Sequence, residues 1–491
     1  MQNVRDTKGR HINIVMLVIT LVAGVFITVL NQTILSTAFP TLMNTFNIDT
    51  GTVQWLTTGF MLVNGIMIPV SAYLATKVPT RWLYISAMTI FGVGTLVAFI
   101  AGNFGTLLTG RLIQAVGVGI TMPLLQNIML SIFPPEKRGA AMGIAGLAIG
   151  MAPAIGPTLS GWVIDNFGWR TLFGMLLPIV AVVLIMSFFF MRDVLPNSNP
   201  KLDFISLVES SIGFGLLLYG FSMVSSDGWG AFSVLGSIGV GIVVIGLFVY
   251  RQLHMKNPFL ELRVFSSKIF TLSTILGSIA NMAMVGVEMI LPMYLQIVHG
   301  KTALQSGLTL LPGALMMGVM SPFTGMIFDK IGAKRLAQLG LFFLTVATIP
   351  FAFVTETTPS IFITIIYAVR MFGISMVMMP LTTNGMNALS GDLIRHGTAV
   401  NNTVRQIASS MTTAILVSVL SNVTKGAAPA KHLLKASPLA FKHTFFSATL
   451  SGYHAAFWFA IGFSTIGWFL TYFLNTKHVE SQDVSAKEVA K

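Results

Sequence analysis

The amino-acid sequence predicts an all-α polytopic membrane protein of about fourteen transmembrane helices, two six-helix bundles plus two inserted helices. Composition is the first reason: of 491 residues, 54% are hydrophobic and only 9% charged, with a mean hydropathy of +0.80. A soluble domain of this size carries far more charge on its surface, and a bilayer is the solvent that accommodates so little. The second reason is a succession of apolar segments of spanning length, and the third is an internal repeat of two motifs.

Apolar segments long enough to span lie at 12–36, 52–75, 82–101, 105–131, 140–163, 171–191, 204–224, 231–250, 269–298, 303–328, 335–354, 360–389, 398–421 and 452–474. The seventh is weakened by Glu209, and the thirteenth begins among polar residues. Arg5, Lys8 and Arg10 ahead of the first run mimic a cleaved signal peptide, but no small-residue cleavage site follows and many further apolar runs do. With the N-terminus cytoplasmic, most of the 29 Lys and Arg residues fall in inside segments. Arg170, Lys301, Lys425, Lys431, Lys435 and Lys442 fall outside, while Arg111, Arg370 and Arg405 sit within spans. This bias puts both termini in the cytoplasm of a multi-pass plasma-membrane protein and accounts for the net charge of +13 without nucleic acid. The outer segment 422–451 holds four of those outside cations and reads either as a hairpin lying back on the outer surface or as a disordered loop.

The loop after the second span, "AYLATKVPTRW" (72–82), aligns with the loop after the tenth, "GMIFDKIGAKR" (325–335). The alignment pairs Ala72 with Gly325, Thr76 with Asp329, Lys77 with Lys330 and Arg81 with Lys334. Likewise Arg111 opens "RLIQAVGVGITMPL" in the fourth span and Arg370 opens "RMFGISMVMMPL" in the twelfth. Residues 1–195 therefore form one bundle, 196–262 an inserted pair, 263–476 the second bundle with its outer loop 422–451, and 477–491 a tail. Related bundles around a cavity are a transporter architecture, with the substrate site at the repeat interface near the midplane.

At these residues the sequence resembles the major facilitator superfamily, and within it the fourteen-helix drug:proton antiporters, over nearly the whole chain. "GMIFDKIGAKR" is similar to the family's cytoplasmic loop motif, in which Gly325 permits close helix approach and Asp329 precedes the basic Lys330 and Arg335. "RLIQAVGVG" resembles the fourth-helix motif with a membrane Arg. "APAIGPTLSGW" (152–162) resembles the fifth-helix antiporter motif, with Pro153, Gly156 and Pro157 in place and Ser160 where a Gly is usual. "FGWRTLF" (167–173) is also like this group. The resemblance implies the major facilitator fold, alternating access and a conformational role for these motif residues, including Arg81 and Arg370. Thr76 stands where the first-half motif usually has its acid, so the latch that the family implies rests mainly on Asp329. Asn31 stands where many relatives carry an acid, and an amide cannot exchange a proton near neutral pH.

Proton coupling needs a titratable group inside the membrane. The acids within spans reduce to Glu209, in the inserted pair, and Glu288, on one helical face with Asn281 and Met284. Glu288 lies about 16 Å deep and Arg111 roughly 9 Å, counted at 1.5 Å per residue from the outer ends of their helices. Asn31 has a comparable depth, so these three, with Thr33 and Gln114, are expected to line one substrate cavity. If a cation and a proton compete for the Glu288 carboxylate, exchange follows. The other reading pairs Glu288 or makes it a gate. Arg111 either bonds helix backbone or biases a nearby acid, which the resemblance favours. Glu209 is expected at the inserted pair's own interface or at a headgroup. Arg405 and Gln406 are expected to position the thirteenth span rather than bind cargo.

Glycine and proline gather in "GIAGLAIGMAPAIGPTLSG" (143–161), which reads as tight packing or as a hinge between bundles. Methionines in the second-half spans, Met282, Met284, Met289, Met293, Met316, Met317, Met320, Met376, Met378 and Met379, can repack around differently shaped lipophiles, or merely face lipid or fill the bundle core. There is no cysteine, the histidines lack metal-ligand spacing, and no phosphate-binding G-x-x-x-x-G-K-[ST] loop occurs, so no cofactor or ATP-driven cycle is expected. The sequence thus predicts no enzyme but a proton-coupled exporter of amphipathic or lipophilic compounds, with protons and membrane lipids as its partners and a single chain as the working unit. Export of an endogenous lipid, fatty acid or metabolite is the alternative. A non-transporting sensor is the remote one.

Overall fold

The computed structural model describes residues 9–35, 38–48, 50–197, 203–256, 258–391, 393–429 and 438–474. Arg5, Lys8, Lys201, Lys431, Lys435 and the tail 477–491 lie outside the described residues, as does the side chain of Pro157. The first bundle comprises α1 (Ile14–Thr33), a short α2 (Phe39–Phe46), α3 (Thr50–Lys77), α4 (Thr80–Phe99), α5 (Phe104–Ile132), α6 (Arg138–Phe167), α7 (Thr171–Gly174) and α8 (Leu176–Phe190). The inserted pair is α9 (Phe204–Asp227) and α10 (Phe232–His254). The second bundle comprises α11 (Lys268–Ile297), α12 (Ala303–Ile331), α13 (Ala333–Thr348), α14 (Ser360–Ser375), α15 (Met378–Asn387), α16 (Leu393–Ala427) and α17 (Pro438–Leu470).

Among the described residues, thirteen segments are long and apolar enough to cross a membrane, counting α7 with α8 and α14 with α15, and α6 makes a fourteenth. α6 bends by 42° between Pro153 and Thr158. Pro153 and Pro157 each remove a backbone donor there, which is the usual cause of such a kink. Outward-facing Val182, Ile185, Phe189, Val243, Leu247, Ile365 and Phe469 are exposed, an apolar belt suited to lipid. With fourteen crossings, α1 begins and α17 ends at one face, called here the terminal face.

The outer segment differs from the expected loop. α16 continues to Ala427 and α17 already begins at Pro438, so much of 422–451 is helix extending both spans. Proline at the first position of α17 removes no helical bond, and the Leu, Ala and Phe residues that follow sustain the helix. The short α2 was not foreseen; it ends at Asn47, whose φ of 52° is a left-handed cap.

The repeat extends to packing. In the first bundle α4 and α5 cross at Gly94 and Gly110, and a Cβ on Gly110 would sit 2.8 Å from the Gly94 carbonyl. In the second, α13 and α14 cross at Gly340 and Gly373 with the same intimacy, a Cβ on Gly373 falling 2.6 Å from the Gly340 carbonyl. Between bundles, α6 packs along α12, and the related pair α3 and α16 closes the other side. One apolar core fills the first bundle and runs on into Met379, Met386, Ile394, Ala399 and Val400 at the terminal ends of α15 and α16. A second core fills α11 to α17.

The inserted pair packs on itself, with α9 against α3 and α16. Its terminal end is tied by Arg251, which donates from Nε to Asp203 at 2.9 Å and from the guanidinium tip at 3.0 Å. Ser206 donates to Asp203, Gln252 donates to Ser206 at 2.6 Å and accepts from Leu260 N at 3.1 Å. The Arg251 bonds hold the Asp203 carboxyl below its ordinary range. Glu209 on α9 lies within electrostatic reach of Arg251 on α10.

Candidate functional site

A cavity of about 200 Å³ lies between the bundles, walled by α1, α3, α5 and α6 on one side and by α11, α12 and α14 to α16 on the other. α11 starts where Ser267 Oγ accepts from Phe270 N at 3.3 Å, and its pitch brings Asn281, Met284 and Glu288 to the cavity on one stripe. α16 supplies Asn402, Arg405, Gln406 and Ser409 at the same helical spacing. Methionines 122, 284, 317, 378 and 379 give much of the wall a flexible thioether surface. Pro153, at the kink of α6, also reaches it.

Glu288 is partly buried on this wall. It lies within electrostatic reach of Arg370 and Tyr367, and among the described residues no ion pair engages it. Its carboxyl is therefore available to a proton or to a cation in the cavity. Asn281 donates to Ser409 Oγ at 2.5 Å and to the Arg405 carbonyl at 3.4 Å, and accepts weakly from Arg405 at 3.5 Å.

The other expected lining residues lie elsewhere. Arg111 is fully buried inside the first bundle, donating to the carbonyls of Leu56 at 3.4 Å and Asn31 at 3.2 Å and to Gln114 Oε1 at 3.0 Å. Its guanidinium sits 4.3 Å from the centre of the Phe60 ring. Asn31 Nδ2 donates to the same Gln114 oxygen at 3.2 Å, and Gln114 donates on to Thr95 at 2.8 Å. Asn31 and Gln114 are consequently sealed from the cavity, and it is Gln32, one position on, that reaches it. Thr33 faces α6, where a Cβ on Gly156 would lie 2.1 Å from its hydroxyl. Equal depth did place Asn31 beside Arg111, but on a face turned into the bundle.

Arg370 repeats the arrangement in the second bundle. It is fully buried, donates from Nε to Thr348 at 3.2 Å, and bonds the carbonyls of Ala283 and Met284 on α11. In both halves the arginine of the fourth helix clamps the backbone of the first. Arg405 and Gln406 depart from expectation in the opposite sense: they line the cavity itself. The signal was present in "NNTVRQIASS", whose polar residues recur at helical spacing, but an Arg in a polar helix start reads equally as a surface anchor.

Toward the terminal face the bundles are bolted together. Asp329 accepts from Gly139 N and Ala140 N, each at 2.9 Å, so a carboxylate from α12 caps the first turn of α6. Beneath it Gly325 meets Gly139 directly, and a Cβ there would fall 2.1 Å from the Gly139 carbonyl. Gly332, at φ +79°, ends α12 and lets α13 start at once. Lys330 occupies the last turn of α12, where a cation suits the helix end, and Arg335 is exposed on the first turn of α13. Arg138 donates to Asn387 at 2.8 Å, Asn402 to Gln126 at 2.8 Å, and Arg395 to the carbonyls of Pro196 at 2.7 Å and Ala75 at 3.5 Å. In the first-half motif Thr76 bonds the carbonyl of Ala72 on its own helix, and Arg81 bonds Asp193 and Phe188 of its own bundle.

Two related six-helix halves around a shared polar cavity define a membrane transporter rather than an enzyme. The chain belongs to the Major Facilitator Superfamily, whose sequence model matches residues 21–413. It is 48% identical over 454 residues to the MFS-type transporter YcnB of Bacillus subtilis (strain 168), covering 92% of this chain and 93% of that one. It is 39% identical over 415 residues to the lincomycin resistance protein LmrB of Listeria monocytogenes serovar 1/2a (strain ATCC BAA-679 / EGD-e), covering 84% and 88%. Its fold matches the proton:xylose symporter XylE with a TM-score of 0.61 at 12% identity, covering 94% of this chain and 96% of that one.

Proposed function

We propose that this transporter exports amphipathic or lipophilic drugs by proton-driven alternating access, in the plasma membrane with both termini cytoplasmic. The observation that carries the reading is Glu288, an unpaired carboxyl on the wall of the inter-bundle cavity beside Asn281 and Met284. Protonation neutralises it and releases a cationic cargo; deprotonation restores the site for the next molecule. The lincomycin resistance of the LmrB relative supports a drug as cargo, and the methionine-rich wall supports tolerance of shape. One proton per cycle supplies about 2.3 kcal/mol per 100 mV of membrane potential. Arg111 and Arg370 hold the first helix of each bundle in register, and the Asp329 cap with the Gly325 contact holds the cytoplasmic side shut in this conformation. In the middle of α6, Pro153 and Gly156 let that helix bend against its neighbours as the halves rock.

Inverted membrane vesicles with an imposed pH gradient test this reading with a lipophilic cationic dye. Wild type is expected to accumulate the dye when the gradient is applied, and Glu288→Gln to lose gradient-driven accumulation while still being present in the membrane. Full pH-driven transport by the variant removes Glu288 from the coupling role. Failure of wild type to move any xenobiotic favours an endogenous lipid, fatty acid or metabolite as cargo.

A further inference from the structure

The α16 wall of the cavity carries a cation without a counter-ion. Arg405 lines the cavity, yet its Nε and one terminal nitrogen are shielded from solvent and have no hydrogen-bond partner. Among the described residues its side chain makes a single bond, the long 3.5 Å contact to Asn281. Among the described residues no carboxylate forms an ion pair with it. The side chains that share its stretch of wall, Asn402, Gln406, Ser409 and Asn281, are all neutral. Arg111 and Arg370 each leave one buried guanidinium nitrogen unpartnered too, but each donates to backbone carbonyls inside its own bundle and neither reaches the cavity. A charge with shielded, unpartnered donors is unfavourable, and a half-satisfied guanidinium presents a planar fork of donors matched to a carboxylate or phosphate.

Taking the inter-bundle cavity as the cargo site, on which this rests, we infer that Arg405 is the anchor for an anionic group of the cargo. The favoured ligand class is then a lipophilic zwitterion: its cationic part is taken by Glu288 and its carboxylate by Arg405, two groups on α11 and α16 facing one cavity. A purely cationic lipophile fills the same space while leaving the Arg405 donors unmatched. Specificity of this kind comes from a buried polar group that the wrong ligand leaves unpaired.

A rhodamine zwitterion with a free carboxylate and its methyl ester share one delocalised cation and differ only in the group that Arg405 would hold. Binding of each to the purified protein, read by fluorescence anisotropy in detergent with no pH gradient, provides the test. Wild type is expected to prefer the zwitterion, Arg405→Gln to weaken the zwitterion by about tenfold or more while leaving the ester unchanged, and Arg405→Lys to recover part of the preference. An equal loss for both probes assigns Arg405 to the architecture of the cavity and overturns the inference. So does unchanged zwitterion binding by Arg405→Gln, or a wild type that prefers the ester or binds neither probe. Because no gradient is present, the outcome is independent of whether Glu288 couples protons, and the two readings fail separately.

Discussion

Asn31 and Arg111 show how a residue's chemistry can be legible while its surroundings are not. That an amide in the first span cannot exchange a proton follows from its functional group. That it forms a closed set with Arg111, Gln114 and Thr95 depends on which way three helices turn their faces, and the strong all-round hydrophobicity of membrane helices hides that orientation. The same ambiguity concealed the place of Arg405 on the cavity wall, whereas Glu288 stood out because acids within spans are rare enough to name. Arg111→Met removes a donor shared by the Leu56 and Asn31 carbonyls and Gln114, and orphaned buried groups cost about 1–3 kcal/mol each. A lower thermal midpoint is expected, with dye binding to the cavity unaltered. An Arg111→Met protein that melts like wild type but loses only pH-driven transport assigns Arg111 to coupling instead.

At the scale of elements, the seam between α6 and α12 is the part that sequence marked most clearly. Glycines 139, 143, 146 and 150 face Gly325, Ser321, Met317 and Gly318 across it. The glycine-rich pattern announced close packing, but the partner of Gly139 lies 190 residues further along the chain, beyond the reach of local periodicity. Asp329→Asn retains one acceptor of the two-point cap and loses the charge that favours a helix start, a difference of about 1–2 kcal/mol. The expected result is a roughly tenfold shift away from the latched conformation, read as longer distances between spin labels on the loops after α5 and α12. Unchanged distances remove Asp329 as a latch.

The inserted pair carries a pH-dependent tie of its own. Bonding to Arg251 depresses the Asp203 pKa, so its contribution is present above the unfolded value near 3.9 and is lost as pH falls through the lower folded value. With Arg251 partly exposed, solvent screening keeps the contribution of the pair small. Thermal midpoints of wild type and Asp203→Asn are therefore expected to differ slightly at neutral pH and to converge below about pH 4. A difference that persists unchanged in acid excludes the ion pair as its source.

For the whole molecule, composition, the fourteen apolar segments and the two repeated motifs carried the architecture. The structure adds that Arg111 and Arg370, with the glycine crossings at Gly94–Gly110 and Gly340–Gly373, obey the same rule in both halves. The helical continuation of α16 and α17 was not readable, since polar and basic residues at the membrane edge serve a helix and a loop equally well. Orientation is open to a simple check because the chain contains no cysteine. Gly9→Cys is expected to react with an impermeant maleimide in inverted vesicles and to be protected in intact cells, as the excess of Lys and Arg on that side requires. The reverse pattern inverts the direction of transport.

The central claim, that proton and cargo exchange at one carboxylate, is tested most directly by proton release from the purified protein in weakly buffered detergent solution on adding a cationic lipophile. Wild type is expected to release protons as the ligand binds, over the pH range in which Glu288 is protonated without it, and Glu288→Gln to bind ligand without release. Undiminished release from Glu288→Gln, or ligand binding to wild type with none at any pH, contradicts it.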